Sequence, residues 1–387
     1  MIHQPGITSA KAGVITAEGA HTAAKSGLLP SLASTSSYTS VALSPVGLVP
    51  GSGTSSGYQI TANIRQLIFD FNHTRDLARQ ASQKLRAANA NMTRVESDTV
   101  LRVKLAFYAY SQNLQIVKVN EANVQNAQSH LALAQARLDA GVGLPADVVR
   151  AQTAVADSIF SLNLARNAAS ISGVTLAELM GIDPRTPIVP SEAEEPAIAV
   201  DDVVELTIQA TKTRPEMLQA QANLVAANYS VSAAKTSNAP AISANVGWLQ
   251  RGAGFPPGND TVTYGVAIQW TPFDSGLTAG RVEQARGALL SAQADLEATK
   301  LAVSADVSKS YLDLKTAEQR VLTSDAEVAN ALEALRLVEG RYKAGLGAFL
   351  DVLDAQTAFI KADSNRVNAR TSVDQARAAL SHAIGAS

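Results

Sequence analysis

The chain has 387 residues, of which 46% are apolar and only 17% charged, below the usual quarter of a soluble globular domain. Lys and Arg number 32 against 34 Asp and Glu, so there is no basic surplus for a nucleic-acid backbone. Cysteine is absent, which excludes disulfides, thiolate metal ligands and a cysteine nucleophile. No apolar run reaches the length of a membrane-spanning helix, but a β-barrel stays open because its signal per segment is weak. Residues 1–13 lack the charged and apolar segments of a secretory signal.

In chain order, residues 30–43 form a Ser- and Thr-rich strand candidate, followed by the Pro/Gly/Ser-rich run Ser44–Gly57, a loop by composition. Tyr58, Ile60, Ala62 and Ile64 then alternate with Gln59, Thr61, Asn63 and Arg65, which predicts a half-buried strand over about 58–68. Phe69-Asp70 opens a stretch, 71–140, without Pro or Gly. Apolar residues recur there every seven positions, at Val103, Tyr110, Val117, Val124, Leu131 and Leu138, the seam of a coiled coil. At 1.5 Å per residue this helix runs roughly 105 Å, more than a compact domain needs. Its remaining surface is rich in small residues, as in Ala87-Ala-Asn-Ala-Asn91, which suits a helix with neighbours on both flanks. Ala140-Gly-Val-Gly143 ends it, and a returning helix over about 146–180 carries Asp147 in its first turn, where a carboxylate is favoured.

The remainder repeats this plan. A linker and short helix occupy 182–215, with Val200–Arg214 helical behind an Asp201-Asp202 start signal. Strands are predicted over about 240–250 (Ile242, Ala244, Val246 and Trp248 on one face) and 261–271 (Val262, Tyr264, Val266, Ile268 and Trp270). A second helical hairpin follows over 274–385, with the seam Val307, Leu314, Val321, Val328, Leu335 and Tyr342. Arg137-Leu-Asp-Ala-Gly-Val-Gly and Arg341-Tyr-Lys-Ala-Gly-Leu-Gly coincide at an offset of 204, which also pairs Phe69-Asp70 with Phe273-Asp274. Upstream the offset is 210 and pairs Pro5 with Pro215 and Pro30 with Pro240, so the length difference falls in the Ser44–Gly57 region. The domain reading is therefore a first structural repeat over 1–181 and a second over 182–387. Because the helix over Val200–Arg214 has no counterpart before His3, a short helix and a targeting segment are expected upstream of Met1. The fold class is mainly α with a small β part. Four strands of about ten residues, with Tyr58, Trp248 and Trp270 at their ends, suit a membrane barrel, but four cannot enclose a useful lumen, so identical chains must share it.

Other signals carry little. Gly53-Thr-Ser55-Ser-Gly57 matches the nucleophile-elbow pattern but sits in a loop between strands rather than at a strand-to-helix turn. His3, His21, His73, His130 and His382 show no paired metal spacing, and Glu192–Glu195 reads as a solvated loop. No phosphate-binding glycine loop and no convergent acid, base and nucleophile appear. Neither cofactor, metal nor enzymatic activity is expected.

Two repeats of strand, strand and long helical hairpin, with Phe-Asp opening the long helix and Arg341-Tyr-Lys-Ala-Gly…Asp351-Val-Leu-Asp354-Ala-Gln at the turn, resemble the TolC-type outer-membrane efflux channel family. The resemblance covers essentially the whole chain. It implies a homotrimer whose twelve-stranded β-barrel lies in outer-membrane lipid and continues as a twelve-helix α-barrel across the periplasm. A belt of short helices, from about 182–215 and the chain end, would surround it. Asp351 and Asp354, spaced to share a helix face, would ring the periplasmic entrance and favour cations there. Asp147 and Tyr342 match the latch between neighbouring hairpins, although Asp147 also reads as a helix-start charge and Tyr342 as a seam residue. Some family members add an Arg where this chain has Gly347. Val142, Gly143, Leu144, Leu346 and Gly347 match hairpin tips that meet a periplasmic adaptor protein.

The leading expectation is a passive exit duct for drugs or other toxic small molecules, working with the adaptor and an inner-membrane pump. The alternatives are the outer-membrane channel of a type I protein secretion system and, from another class, a soluble coiled-coil scaffold. The scaffold explains the seams but not four alternating strands placed identically in both repeats.

Overall fold

The computed structural model describes residues 4–42, 54–191 and 202–386. The first series of elements is α1 (Pro5–Ser26), β1 (Ser31–Ala42), β2 (Thr54–Phe69), α2 (His73–Asp139) and α3 (Pro145–Met180). After a short α4 (Val203–Thr213) the series recurs as α5 (Pro215–Thr236), β3 (Ala241–Gly252), β4 (Asn259–Gln269), α6 (Leu277–Lys343) and α7 (Phe349–Ala383). His3, most of the Ser44–Gly57 run, Glu192–Glu195 and Asp201 lie outside the described residues, as does Gly53 of the nucleophile-elbow pattern; its Gly57 lies in β2. Helices α1 and α5 occupy stretches where the sequence offered only alignment marks. Each opens on a proline, favoured at the first helical position. Gly6, Gly13 and Gly19 weaken the helical signal of α1.

The chain forms two compact units, and each draws on both sequence repeats. One holds residues 11–91 and 218–299; the other holds 1–10, 92–217 and 300–387.

The first unit contains a single antiparallel sheet in the order β1-β2-β3-β4. Its register puts Leu32 opposite Ile64, Ile64 opposite Val246 and Val246 opposite Tyr264. Directly paired residues share a face, so one apolar face runs unbroken across four strands and takes in Ile242, Trp248, Val262, Val266 and Ile268. The other face carries Asn63, Gly247 and Thr263 in one row and Arg65 and Asn245 in another. β1 and β4 are edges with no partner among the described residues. Each long helix leaves the sheet through the same cap. Asp70 Oδ2 accepts from Thr74 N, and Asp274 Oδ2 accepts from Thr278 N, both at 2.8 Å. These satisfy orphan donors of the first turn, which is why Phe-Asp stands at both starts. His73 Nδ1 sits 2.8 Å from Ala233 O and ties α2 to α5.

The second unit contains α3 and α7 with the larger parts of α2 and α6. On α6, Val303, Val307, Ser310, Leu314, Ala317, Ser324, Val328, Leu335 and Tyr342 are buried at steps of three, four or seven residues, a heptad stripe. Leu290, Leu301, Leu312, Leu322 and Leu337 are exposed on the same helix. At about 100° per residue they lie opposite the buried stripe. α3 behaves alike: Val148, Ala151, Leu162, Ala165, Ala169 and Leu176 are buried, and Val149, Phe160, Leu164, Ile171 and Val174 are exposed on the far side. The α2 seam is less sharply sided, with all six of its expected residues half-buried. It meets α3 through Arg166–Glu121 and α7 through Gln112–Asn368. Gly141 and Gly345, with φ of +75° and +78°, end α2 and α6 in left-handed turns.

At the other end of the hairpins, Arg214 clamps three segments. It is buried, donates through Nε and Nη2 to both Glu216 oxygens at 3.2 and 3.1 Å, and donates through Nη1 to Asp306 Oδ2 at 2.6 Å and to Ala383 O, near the α7 terminus. In the first repeat Gln4 does the equivalent work, donating to Glu178 O and Leu179 O at the end of α3. Burial disfavours the Glu216 carboxylate, but the hydrogen bonds and charge of Arg214 outweigh it and hold its pKa below the usual value. Arg214→Ala is expected to cost about 2–3 kcal/mol, less than a fully buried pair because Asp306 is half exposed. A depressed carboxylate pKa stabilises fully above its ordinary value of about 4.3, and that contribution vanishes as pH falls through the depressed one. The melting difference between wild type and Arg214→Ala should therefore be full at neutral pH and shrink below about pH 4.

Candidate functional site

The sequence-derived residues gather at the hairpin tips. The local core there is Ala134, Val148, Ala151, Leu335, Tyr342, Phe349 and Val352, with Leu131, Leu138, Leu353 and Phe359 packed against it. It joins both hairpins: Ala134 belongs to α2, Val148 and Ala151 to α3, Leu335 and Tyr342 to α6, Phe349 and Val352 to α7. The Tyr342 and Phe349 rings meet at 5.3 Å between centroids.

Asp147 and Tyr342, expected to meet, do so. Tyr342 Oη donates to Asp147 Oδ2 across 3.5 Å, at the outer limit of a hydrogen bond. Asp147 is buried in the first turn of α3, with Arg150 Nη1 3.9 Å from its other oxygen. Burial and the Asp147 charge push the Tyr342 phenol above its ordinary pKa, with Arg137 opposing. Tyr342 thus remains a donor throughout the physiological range.

Asp351 and Asp354 stand in the first two turns of α7, both exposed, one turn apart on the same side. Val142, Leu144 and Leu346 are exposed at the turns by 67%, 64% and 73%, which leaves three large apolar side chains in solvent around a small area. Gly143 and Gly347 lie between them. A Cβ on Gly143 would stand 2.7 Å from Leu138 N, and one on Gly347 would stand 3.2 Å from the Arg341 Cβ and 3.3 Å from Tyr342 N. The Gly143 turn is too tight for a side chain without a shift of backbone, whereas the Gly347 turn would need its neighbours to give by a few tenths of an ångström.

One contributor escaped sequence reasoning. Arg137, near the end of α2, donates through Nη1 to Tyr342 O at 2.7 Å and Lys343 O at 3.2 Å, and its guanidinium lies 4.8 Å from the Tyr342 ring centroid. The signal was its recurrence as Arg341 in the second hairpin. Arg341 bonds only within its own turn, to Leu346 O at 3.4 Å.

Higher up, α2, α3 and α7 leave an open polar cleft of about 650 Å³ between them, lined by Asn123, His130, Arg150, Asp157, Gln356 and Lys361 among others. Gln356 Nε2 donates to Asn123 Oδ1 at 3.3 Å, while Gln356 Oε1 and His130 Nε2 are buried without a hydrogen-bond partner. His130 Nε2 lies 3.6 Å from Glu339 Oε1. Leaving the Gln356 oxygen buried without a hydrogen bond costs free energy at this level of the hairpins.

Truncating Tyr342 separates its two roles. Tyr342→Phe removes only a long hydrogen bond and should cost under about 1 kcal/mol, whereas Tyr342→Ala empties part of the tip core and should cost about 3–5 kcal/mol. Hydrogen exchange of the tip amides of both variants checks this order.

Comparison with known proteins places the chain. The family model described as "Outer membrane efflux protein" matches residues 2–182 and 206–386. The chain is 26% identical to the outer membrane efflux protein BepC of Brucella suis, over 98% of this chain and 82% of BepC. It is 24% identical to the toluene efflux pump outer membrane protein TtgC of Pseudomonas putida, over 86% of this chain and 70% of TtgC. The crystal structure of the outer membrane protein VceC of Vibrio cholerae superposes with a TM-score of 0.87 at 21% identity, covering 99% of this chain and 93% of VceC.

Proposed function

Because this chain belongs to the outer membrane efflux protein family, we propose that it is the outer-membrane channel of a tripartite efflux system, a passive homotrimeric exit duct for drugs or other toxic small molecules, gated at its periplasmic end. One observation carries the assembly: the chain is unfinished on both sides. β1 and β4 are exposed edges, and their unpaired NH and CO groups require a partner, above all in a membrane. Successive strands alternate in direction, so β4 of one copy pairs antiparallel with β1 of the next and the ring can close. Two copies would give eight strands, whose interior side chains fill. Three give twelve, with the apolar face of Val262, Tyr264, Val266 and Ile268 toward lipid and the polar face of Arg65, Asn63 and Asn245 toward the lumen.

The helices also call for neighbours. The leucine stripe on α6 and the Val149, Phe160 and Ile171 stripe on α3 are apolar surfaces with no cover among the described residues. Placed side by side across the subunit boundary, they continue the ring of helices through the periplasm. Exposed Asp351 and Asp354 then contribute six carboxylates around the entrance, which select cations. Asp147 with Tyr342 latches the hairpins, and Val142, Gly143, Leu144, Leu346 and Gly347 form the tips presented to a periplasmic adaptor. The adaptor joins the duct to an inner-membrane pump that supplies the energy.

Leu301→Asp together with Leu312→Asp is expected to prevent trimer formation in mild detergent, read by light scattering, while secondary structure is retained. In planar lipid bilayers, Asp351→Asn with Asp354→Asn should lower cation selectivity and change conductance. Unaltered selectivity removes those two residues from the entrance.

A further inference from the structure

The link that holds the two hairpins of one protomer together at the tip is stronger on the Arg137 side than on the Asp147 side. The Tyr342–Asp147 bond is stretched to 3.5 Å. Arg137 makes a 2.7 Å charge-assisted bond to Tyr342 O and a second bond to Lys343 O. These are among the last carbonyls of α6, at the negative end of its dipole; Tyr342 O also accepts from Gly345 N at 3.0 Å, so Arg137 fills its second lone pair. A guanidinium suits them because its fork reaches two acceptors while its face lies on the aromatic ring, here the ring of Tyr342 itself. The Nε of Arg137 is buried with no partner, so the group is held in place at some cost. Gly347 carries no side chain, so that turn supplies no cation to the tip; the cation comes from the opposite hairpin, as Arg137.

We infer that Arg137 is the main polar fastener of the periplasmic gate: it grips the end of α6 from α2, fixes the Tyr342 ring that donates to Asp147, and so, together with the apolar core of the tip, holds the two hairpin tips together. This rests on the duct reading above for its purpose, but not for its geometry. Arg137 is a positioning residue; it acts through Tyr342 and the α6 terminus. The cleft above the tip adds the Gln356–Asn123 bond and the His130–Glu339 contact between the hairpins, and it leaves Gln356 Oε1 buried without a hydrogen bond.

The chain has no cysteine, so single labels are placed cleanly. Nitroxide labels at Val142→Cys and Leu346→Cys, both exposed, report tip separation in the full-length trimer by pulsed electron spin resonance. Arg137→Ala should raise the population of the longer distances by about tenfold or more, the scale of one charge-assisted hydrogen bond. Arg137→Lys, which keeps the charge but loses the planar fork, guards against misfolding and should shift the distances in the same direction. Tyr342→Phe should shift them much less. In planar bilayers, Arg137→Ala should also conduct more than wild type. Unchanged distances in both Arg137 variants would overturn the inference, whatever the conductance. Lengthened distances with no conductance in any form would leave the fastener standing and sink the duct reading instead.

Discussion

Backbone hydrogen bonding at the ends of one sheet governs the rest of this molecule. A strand buries or pairs its peptide groups, or it pays for leaving them bare. β1 and β4 have twelve and eleven residues and no partner among the described residues. Their faces raise the stakes, because the apolar side of β4 is fully exposed: Tyr264 is 86% and Val266 71% accessible. Such a sheet is stable only where its apolar face is taken out of water and its edges find partners. The helices repeat the constraint in another form. α3 and α6 each have one buried stripe and a second apolar stripe opposite it, which no described residue covers.

The tip obeys different physics. There the chain does supply its own partners, and it uses them sparingly. A small apolar core of seven buried residues draws on four helices. Around it stand one long tyrosine–carboxylate bond, one arginine on two carbonyls, and two exposed carboxylates. Tight glycine turns hold apolar side chains outward. The contrast with the Arg214 clamp is informative. Arg214 meets two carboxylates and a helix terminus in a buried, satisfied cluster. Arg137 meets neutral carbonyls and an aromatic face, with one donor unpaired. The first arrangement suits a permanent joint. The second suits a joint that closes and releases, since neutral acceptors return to water at less cost than a buried ion pair.

Much of this was readable from residue order because it is periodic. Strand alternation has period two and exposes its faces directly, so Ile242 to Trp248 and Val262 to Trp270 could be assigned to one side before any register was known. The heptad seam of α6 is equally plain, and five of its six expected residues are buried, with Val321 half-buried. The helix starts at Asp70 and Asp274 and the turns at Gly141 and Gly345 are local chemistry, set by capping and by left-handed backbone. α1 was invisible for the same reason: three glycines blur its pattern, and only Val14 is buried to mark a face.

Sequence alone determined the elements, their duplication and which faces are apolar, because these depend on neighbours within a few positions along the chain. Only the tertiary structure decided which strands pair and in what register, that α2 has no single buried side, and that Arg137 rather than its twin Arg341 reaches across to the other hairpin. Those outcomes depend on residues some two hundred positions apart, Arg137 on Tyr342 and Arg214 on Ala383. Contacts at that separation follow from how whole helices lie against one another, which no local period encodes.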